Sequence, residues 1–481
     1  MTTTTAQPRT LPAETPRERR RTLAQTRIRF VALGALAIVL SLFTLVQAFN
    51  AYRTSYEVFR GIAEVNSTTV DASERALQYV AQASQAAADY TLLTSDTPLY
   101  EQAQNNIFRS FSLYRDELFT LRGNLQSVEE QTAYTTAETF TFSRFWRHVS
   151  NLVANRSNDS LARREFLDAD NHVRTWITPA LQELESLNFD QMVAAGENAG
   201  SVIVGQLILF AVPGFALAFL LTYLSFMVRG KVRRYVTPGI DIALVLSYVL
   251  VILVTLNLAD APNKIDVMIN DAYRSVSASA RTLVDANLAN RAESSLLLDS
   301  QNPDSWDVRY RDAMERVVLR LCGQADCTVQ TFTTSGDNLR SGAVSVGQAI
   351  AAKDSERIDG IIPLVANVTF SGEATALERA RQALQDYQVA HINLRNMIIT
   401  EDTEGAIQFN TSTDAGTSQE AFNRFADAME DLRQINRDVF DQTWESQRDA
   451  LTRNQTLFGL IGYALIVVLL VAGISHRYRE L

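Results

Sequence analysis

Cysteine is scarce in this chain, with only Cys322 and Cys327 among 481 residues. That excludes a four-thiolate metal site and the disulfide framework that holds small secreted domains together. With four residues between them, the two cysteines are expected to form a structural disulfide stapling a helix end to the following loop, provided the compartment is oxidising. Proline is also scarce: of ten, Pro8, Pro12 and Pro16 fall in the first sixteen residues, so long stretches contain nothing to interrupt a helix. The four histidines, His148, His172, His391 and His476, are far apart in sequence. There is no glycine-rich phosphate loop, nucleophile elbow or metal-spaced carboxylate set. The reading is therefore a non-enzyme without catalytic, cofactor or metal residues, and nothing points to nucleic acid.

Long apolar runs are present, and there are four of them: roughly 30–49, 201–227, 238–259 and 456–475. Each is long enough to cross a bilayer core of about 30 Å. The basic residues beside them set the expected orientation, because cytoplasmic flanks collect Lys and Arg. Arg9, Arg17, Arg19, Arg20, Arg21, Arg27 and Arg29 precede the first run against Glu14 and Glu18. Arg229, Lys231, Arg233 and Arg234 lie between the second and third runs, and Arg477 and Arg479 follow the fourth against Glu480. Set against a net charge of −10, these three segments leave −20 for the remainder, nearly all of it in the two long polar segments. The expected arrangement is a multi-pass protein of the bacterial cell membrane, both termini cytoplasmic, with an acidic exported side. The first run, which exceeds a signal-peptide core and continues into a heptad pattern, is read as an uncleaved anchor.

The order span, polar segment, span occurs twice. A shift of 205 residues places the first span on the third and Leu92-Leu93 with Pro98 on Leu297-Leu298 with Pro303. Residues 50–200 and 260–455 are thus read as two exported helical domains of an internal duplication. The second is longer by an insertion at about 322–372 that is rich in Gly, Ser and Thr. Tyr56, Phe59, Ala63, Asn66, Val70, Ser73, Leu77, Val80, Ser84, Ala87 and Thr91 follow one another in steps of three and four, which keeps one seam facing partner helices. No breaker separates this series from the first span, so one helix is expected over about 30–95. Phe422, Phe425, Met429, Leu432, Ile435 and Val439 form a similar stripe ahead of the fourth span. The fold class is all-α, with four transmembrane helices and two helical bundles.

Tyr90-Thr91-Leu92-Leu93-Thr94-Ser95-Asp96, followed by Leu99, Tyr100 and Tyr114, resembles the end of the first long helix in the four-helix-bundle periplasmic sensor domains of bacterial chemoreceptors and sensor kinases, the CHASE3-like type. Glu293 to Pro303 with Trp306 and Tyr310 matches more loosely. Ser95 stands where the family usually has glycine, and the insertion is a second departure. The resemblance implies a sensor bundle in each polar segment. Family members carry a linker and an output module after the second span. This chain has about ten residues there and six after the fourth run, so the expected route for a signal is a separate membrane or cytoplasmic partner. The competing expectation is a non-sensing scaffold or assembly subunit of an envelope complex. Long exposed seams also point to a homodimer.

Several local features have a structural reading beside a functional one. The Leu-Leu turns before Pro98 and Pro303 fit helix ends followed by proline-led helices. Arg144, Trp146, Arg147 and His148 would suit a carboxylate ligand, but at helical spacing they point several ways. Asp241 sits at the start of the third span, where the helix dipole favours it. The tail 1–29, with threonines at 2–5, 10, 15 and 22, is expected to be disordered and basic, holding anionic lipid and offering phosphorylation sites. No ligand-binding residue is assigned from sequence.

Overall fold

The computed structural model describes residues 16–95, 97–232, 238–299, 302–318, 320–322 and 357–480. Four helical runs within it, Gln25–Leu92, Asp159–Arg229, Pro238–Leu298 and Ser418–Arg479, are long and apolar enough to cross a membrane, which gives the chain a multi-pass membrane architecture. Each contains one of the four apolar sequence runs and continues as helix well beyond it. The unbroken run to Leu92 is the long helix expected from the heptad series. Helix begins at Pro16, ahead of the first apolar run. Arg, Glu, Leu and Ala are good helix formers, and the apolar run beyond them supplies the nucleus.

The chain divides into two compact units. The apolar unit comprises Met1–Phe59, Asn198–Asn263 and Ser446–Leu481. Its helices approach through glycine. A Cβ built on Gly239 would lie 2.9 Å from the Gly473 Cα and the Leu469 carbonyl oxygen, and one on Gly214 would lie 2.8 Å from Val251. In lipid, where apolar side chains gain nothing by leaving their solvent, such close backbone packing holds helices together. Val245, Leu256, Val212 and Val468 point outward, each about two thirds exposed. Asp241 accepts a hydrogen bond from Ser225 Oγ at 2.6 Å and pairs with Arg229 at 3.3 Å, which places a charge pair in the first turn of the Pro238–Ala259 helix.

The polar unit comprises Arg60–Glu197 and Lys264–Glu445 packed together. The first segment contributes helices Ser67–Leu92 and Pro98–Arg122. Two composite helices follow, over 128–154 and from Asp159 onward, each interrupted by a π-helical turn, Thr141–Phe145 and Val173–Ile177. The second contributes Arg274–Leu298, Pro303–Val318, Glu373–Ile399 and Ser418–Asn454. Each segment has its own apolar core, built around Tyr114, Phe145 and Phe166 in the first and Tyr387, Phe425 and Met429 in the second. One antiparallel pairing, Arg320–Cys322 with Arg357–Asp359, modifies the all-helical expectation. It closes the base of the inserted segment, most of which lies outside the described residues. The expected Cys322–Cys327 disulfide also lies outside them, as do residues 1–15.

The Ser67–Leu92 and Arg274–Leu298 helices lie at the centre and run parallel. Tyr273 donates a hydrogen bond to the Ser67 carbonyl, Arg291 to Ser84 Oγ, and Ser294 to Asp89. These pairs are separated in sequence by 206, 207 and 205 residues, a nearly constant offset that keeps the two helices in one parallel register. Both helices end at the predicted leucine turns, and the next helices open with Pro98 and Pro303. Thr97 caps the first of these by accepting from the Tyr100 backbone N–H. The heptad pattern predicts one buried face, but 19 of the 26 residues of Ser67–Leu92 are buried. The cause is the second central helix, which covers the face that a single bundle would leave wet. Ala, Ser and Thr along both helices make that close approach sterically possible.

Candidate functional site

Two helices buried nearly all round would ordinarily be apolar. These are not, and their polar groups form a chain of paired charges along the seam. At one end, Tyr273 donates to Asp71 Oδ1 at 2.9 Å, and Arg437 donates to the same carboxylate. Next, Arg281 pairs with Glu185, both nearly fully buried. Glu74, 2% exposed, lies within the field of both groups. Desolvation, with Glu185 and Asp71 adding repulsion, pushes its carboxyl up to about 8. Further along, Arg291 pairs with Asp170 at 3.1 Å and Arg316 with Asp285 at 2.8 Å.

At the far end the seam becomes a carboxamide and hydroxyl network. Gln85 Nε2 donates to Ser294 Oγ at 2.9 Å and to Asp89 at 3.0 Å, while Ser294 Oγ donates to Asp89 at 2.8 Å. Asn410 Nδ2 also donates to Ser294. Desolvation raises the Asp89 carboxyl to about 7, overriding the hydrogen bonds from Ser294 and Gln85 that favour its charge. Beside this network, Glu293 accepts from Ser418 Oγ at 2.8 Å and lies 2.8 Å from His391 Nδ1, and the His391 ring stacks on Tyr310 at 3.4 Å.

A cavity of about 460 Å3 opens against this network, between helices of the two segments. Eight of its wall residues are Asn or Gln, including Gln82, Gln85, Asn287, Asn290 and Gln419, and Asp89, Tyr79, Arg109 and Phe422 are also in the wall. Gln85 Oε1 and Asn290 Oδ1 are buried acceptors that find no hydrogen-bond partner among the described residues. An unsatisfied buried acceptor costs about 1–3 kcal/mol, so these two oxygens are strained points in the packing beside the cavity. Among the described residues no group of three or more His, Cys, Asp and Glu could hold a metal ion.

The residues flagged from sequence lie elsewhere. Trp146 stacks on Phe111 at 3.9 Å, His148 lies 2.7 Å from Glu165, and Arg144 and Arg147 are exposed, so that cluster does not converge on one ligand. Histidines far apart in sequence do meet: the His148 and His172 rings stack at 5.4 Å. The cavity residues are not recognisable along the chain because they come from five helices. The available signal was the density of Asn, Gln, Asp and Arg at positions of the second central helix that should be apolar in a buried helix.

No family model, curated protein or solved structure matches this chain.

Proposed function

We propose that this protein is a sensor-like or regulatory membrane accessory whose polar unit reads the extracytoplasmic environment and reports to a separate partner. The observation that carries the reading is the carboxamide-lined cavity, walled by the very helices, Ser67–Leu92 and Arg274–Leu298, that continue without a break from apolar runs. A ligand that draws Gln85 and Asn290 onto itself alters the hydrogen bonds that fix the two central helices against each other. Helical continuity offers a route for that change along the chain. The π-helical turns Gly61–Asn66, Val267–Tyr273 and Gln455–Gly462 are places where such a helix can shift register at low cost. The basic flanks support cytoplasmic termini and an exported polar unit. The resemblance of Tyr90–Asp96 to CHASE3-like sensor bundles agrees with this reading.

Crosslinking in intact cells, followed by mild-detergent purification and mass spectrometry, tests it. A reproducible kinase, phosphatase or receptor partner whose crosslinks map to residues near 16–29 or 476–481 is the expected result. Recovery of secretion or cell-wall assembly components alone would instead assign the chain to a scaffold.

A further inference from the structure

A second cavity, of about 310 Å3, lies on a neighbouring face of the same central helix. Asn287 and Asn290 turn toward the carboxamide cavity, while Leu288, Arg291 and Ala292 line this one. Its wall carries four arginines from three helical elements: Arg174 from the Val173–Ile177 turn, Arg291 from the central helix, and Arg309 and Arg316 from Pro303–Val318. We propose that this cavity is a binding site for a small multivalent oxyanion, a phosphate or a polycarboxylate.

The charge arrangement supports that class. Arg291 is 6% exposed and its guanidinium pairs with Asp170, which Arg309 approaches only to 4.0 Å. Arg316 pairs with Asp285 through Nε, and Arg174 donates to the amide oxygen of Asn171. Asp312 is the one carboxylate in the lining. Four carboxylates, Asp170, Asp285, Asp299 and Asp312, act on these guanidinia, but only Asp312 is in the lining, so the cavity wall itself carries four guanidinia and one carboxylate. Arg309 is also held 4.0 Å over the ring of Trp306, whose Nε1 donates to Asp299 at 3.2 Å. This fixes the guanidinium plane in advance of any ligand. Planar forks lining one cavity, with Arg291 buried, Arg309 and Arg316 half-buried and Arg174 exposed at its edge, match the paired oxygens of phosphate and carboxylate, and lysine would not supply that geometry. Burial and the nearby Arg174 and Arg291 lower the Arg309 pKa, an effect that a bound anion would reverse.

The site is distinct in chemistry from the carboxamide cavity, so its failure would leave the sensor reading standing. The test is isothermal titration of the purified full-length chain in nanodiscs with sodium phosphate, and separately with sodium citrate, at ionic strength matched with chloride. Saturable binding of either anion is expected. Arg309→Gln and Arg174→Gln should each weaken it at least tenfold, with helix content by circular dichroism unchanged. Asp312→Asn, which removes the competing carboxylate, should strengthen it several-fold, a change that a purely structural role would not produce. Binding of phosphate alone or citrate alone fixes the anion class. No heat beyond the chloride control, or unchanged affinity in both Arg→Gln variants, overturns the assignment.

Discussion

The apolar and polar units solve helix packing in opposite ways. In the apolar unit the large side chains point outward and glycine lies at the contacts, with Gly239 and Gly473 letting two backbones meet. In the polar unit the most buried helix, Arg274–Leu298, carries Arg281, Asp285, Asn290, Arg291 and Glu293 inside. The surrounding solvent explains the difference. Lipid offers helices no hydrophobic reward for association, so close contact must supply it. Water rewards the two flanking cores, built around Phe145 and Phe425, and leaves the seam between them free to hold charges that specify alignment.

The largest expected effect would break the first half of that contrast. Gly473→Leu places a branched side chain where the Ile240 backbone nitrogen lies 3.1 Å from a Cβ, and neither backbone can give way. We expect the folded yield in detergent to collapse, measured by size-exclusion chromatography, whereas Val468→Leu on the exposed face should leave it unchanged.

Next comes the seam. Arg281→Ala strands Glu185 beside Glu74 and should cost about 3–5 kcal/mol, read as a thermal-melting shift. The double replacement Arg281→Met with Glu185→Leu should recover much of that loss; no recovery would argue that shape rather than charge sets the seam.

A smaller effect is pH-dependent. Glu74 and Asp89 have raised pKa values, so the folded state keeps protons that the unfolded chain releases. Their contribution therefore falls as pH rises from the ordinary carboxylate range near 4 to about 8, and is constant on either side. A tenfold difference in proton affinity between the folded and unfolded chain corresponds to about 1.4 kcal/mol, reduced wherever the seam can relax. Glu74→Gln should raise the melting temperature by several degrees at pH 9 while changing it little at pH 4. Equal changes at both values would sink the buried-acid account.

The smallest expected effect is at Arg144, which is exposed on its helix. Arg144→Ala should change stability by less than about 0.5 kcal/mol and leave helix content unaltered.

Much of this architecture was legible in the sequence. The apolar runs, the leucine turns before Pro98 and Pro303, and the small-residue series from Tyr56 to Thr91 are local patterns, and local patterns report helix existence and length. The cavity was not legible. Gln85, Asn290, Gln419 and Asp89 are separated by as many as 334 residues, and no spacing along the chain brings them together. The same holds for the four arginines lining the second cavity, each of which alone reads as a surface charge.

The sequence by itself determined which segments are helical and which of them are apolar enough for a membrane, because each depends on near neighbours. Only the tertiary structure decided that the two central helices pair along their length, from Tyr273 on Ser67 to Ser294 on Asp89. That pairing takes Asp71, Glu74, Arg281 and Arg291 out of water and makes charges that would have been solvated on separate bundles into the partners of one seam.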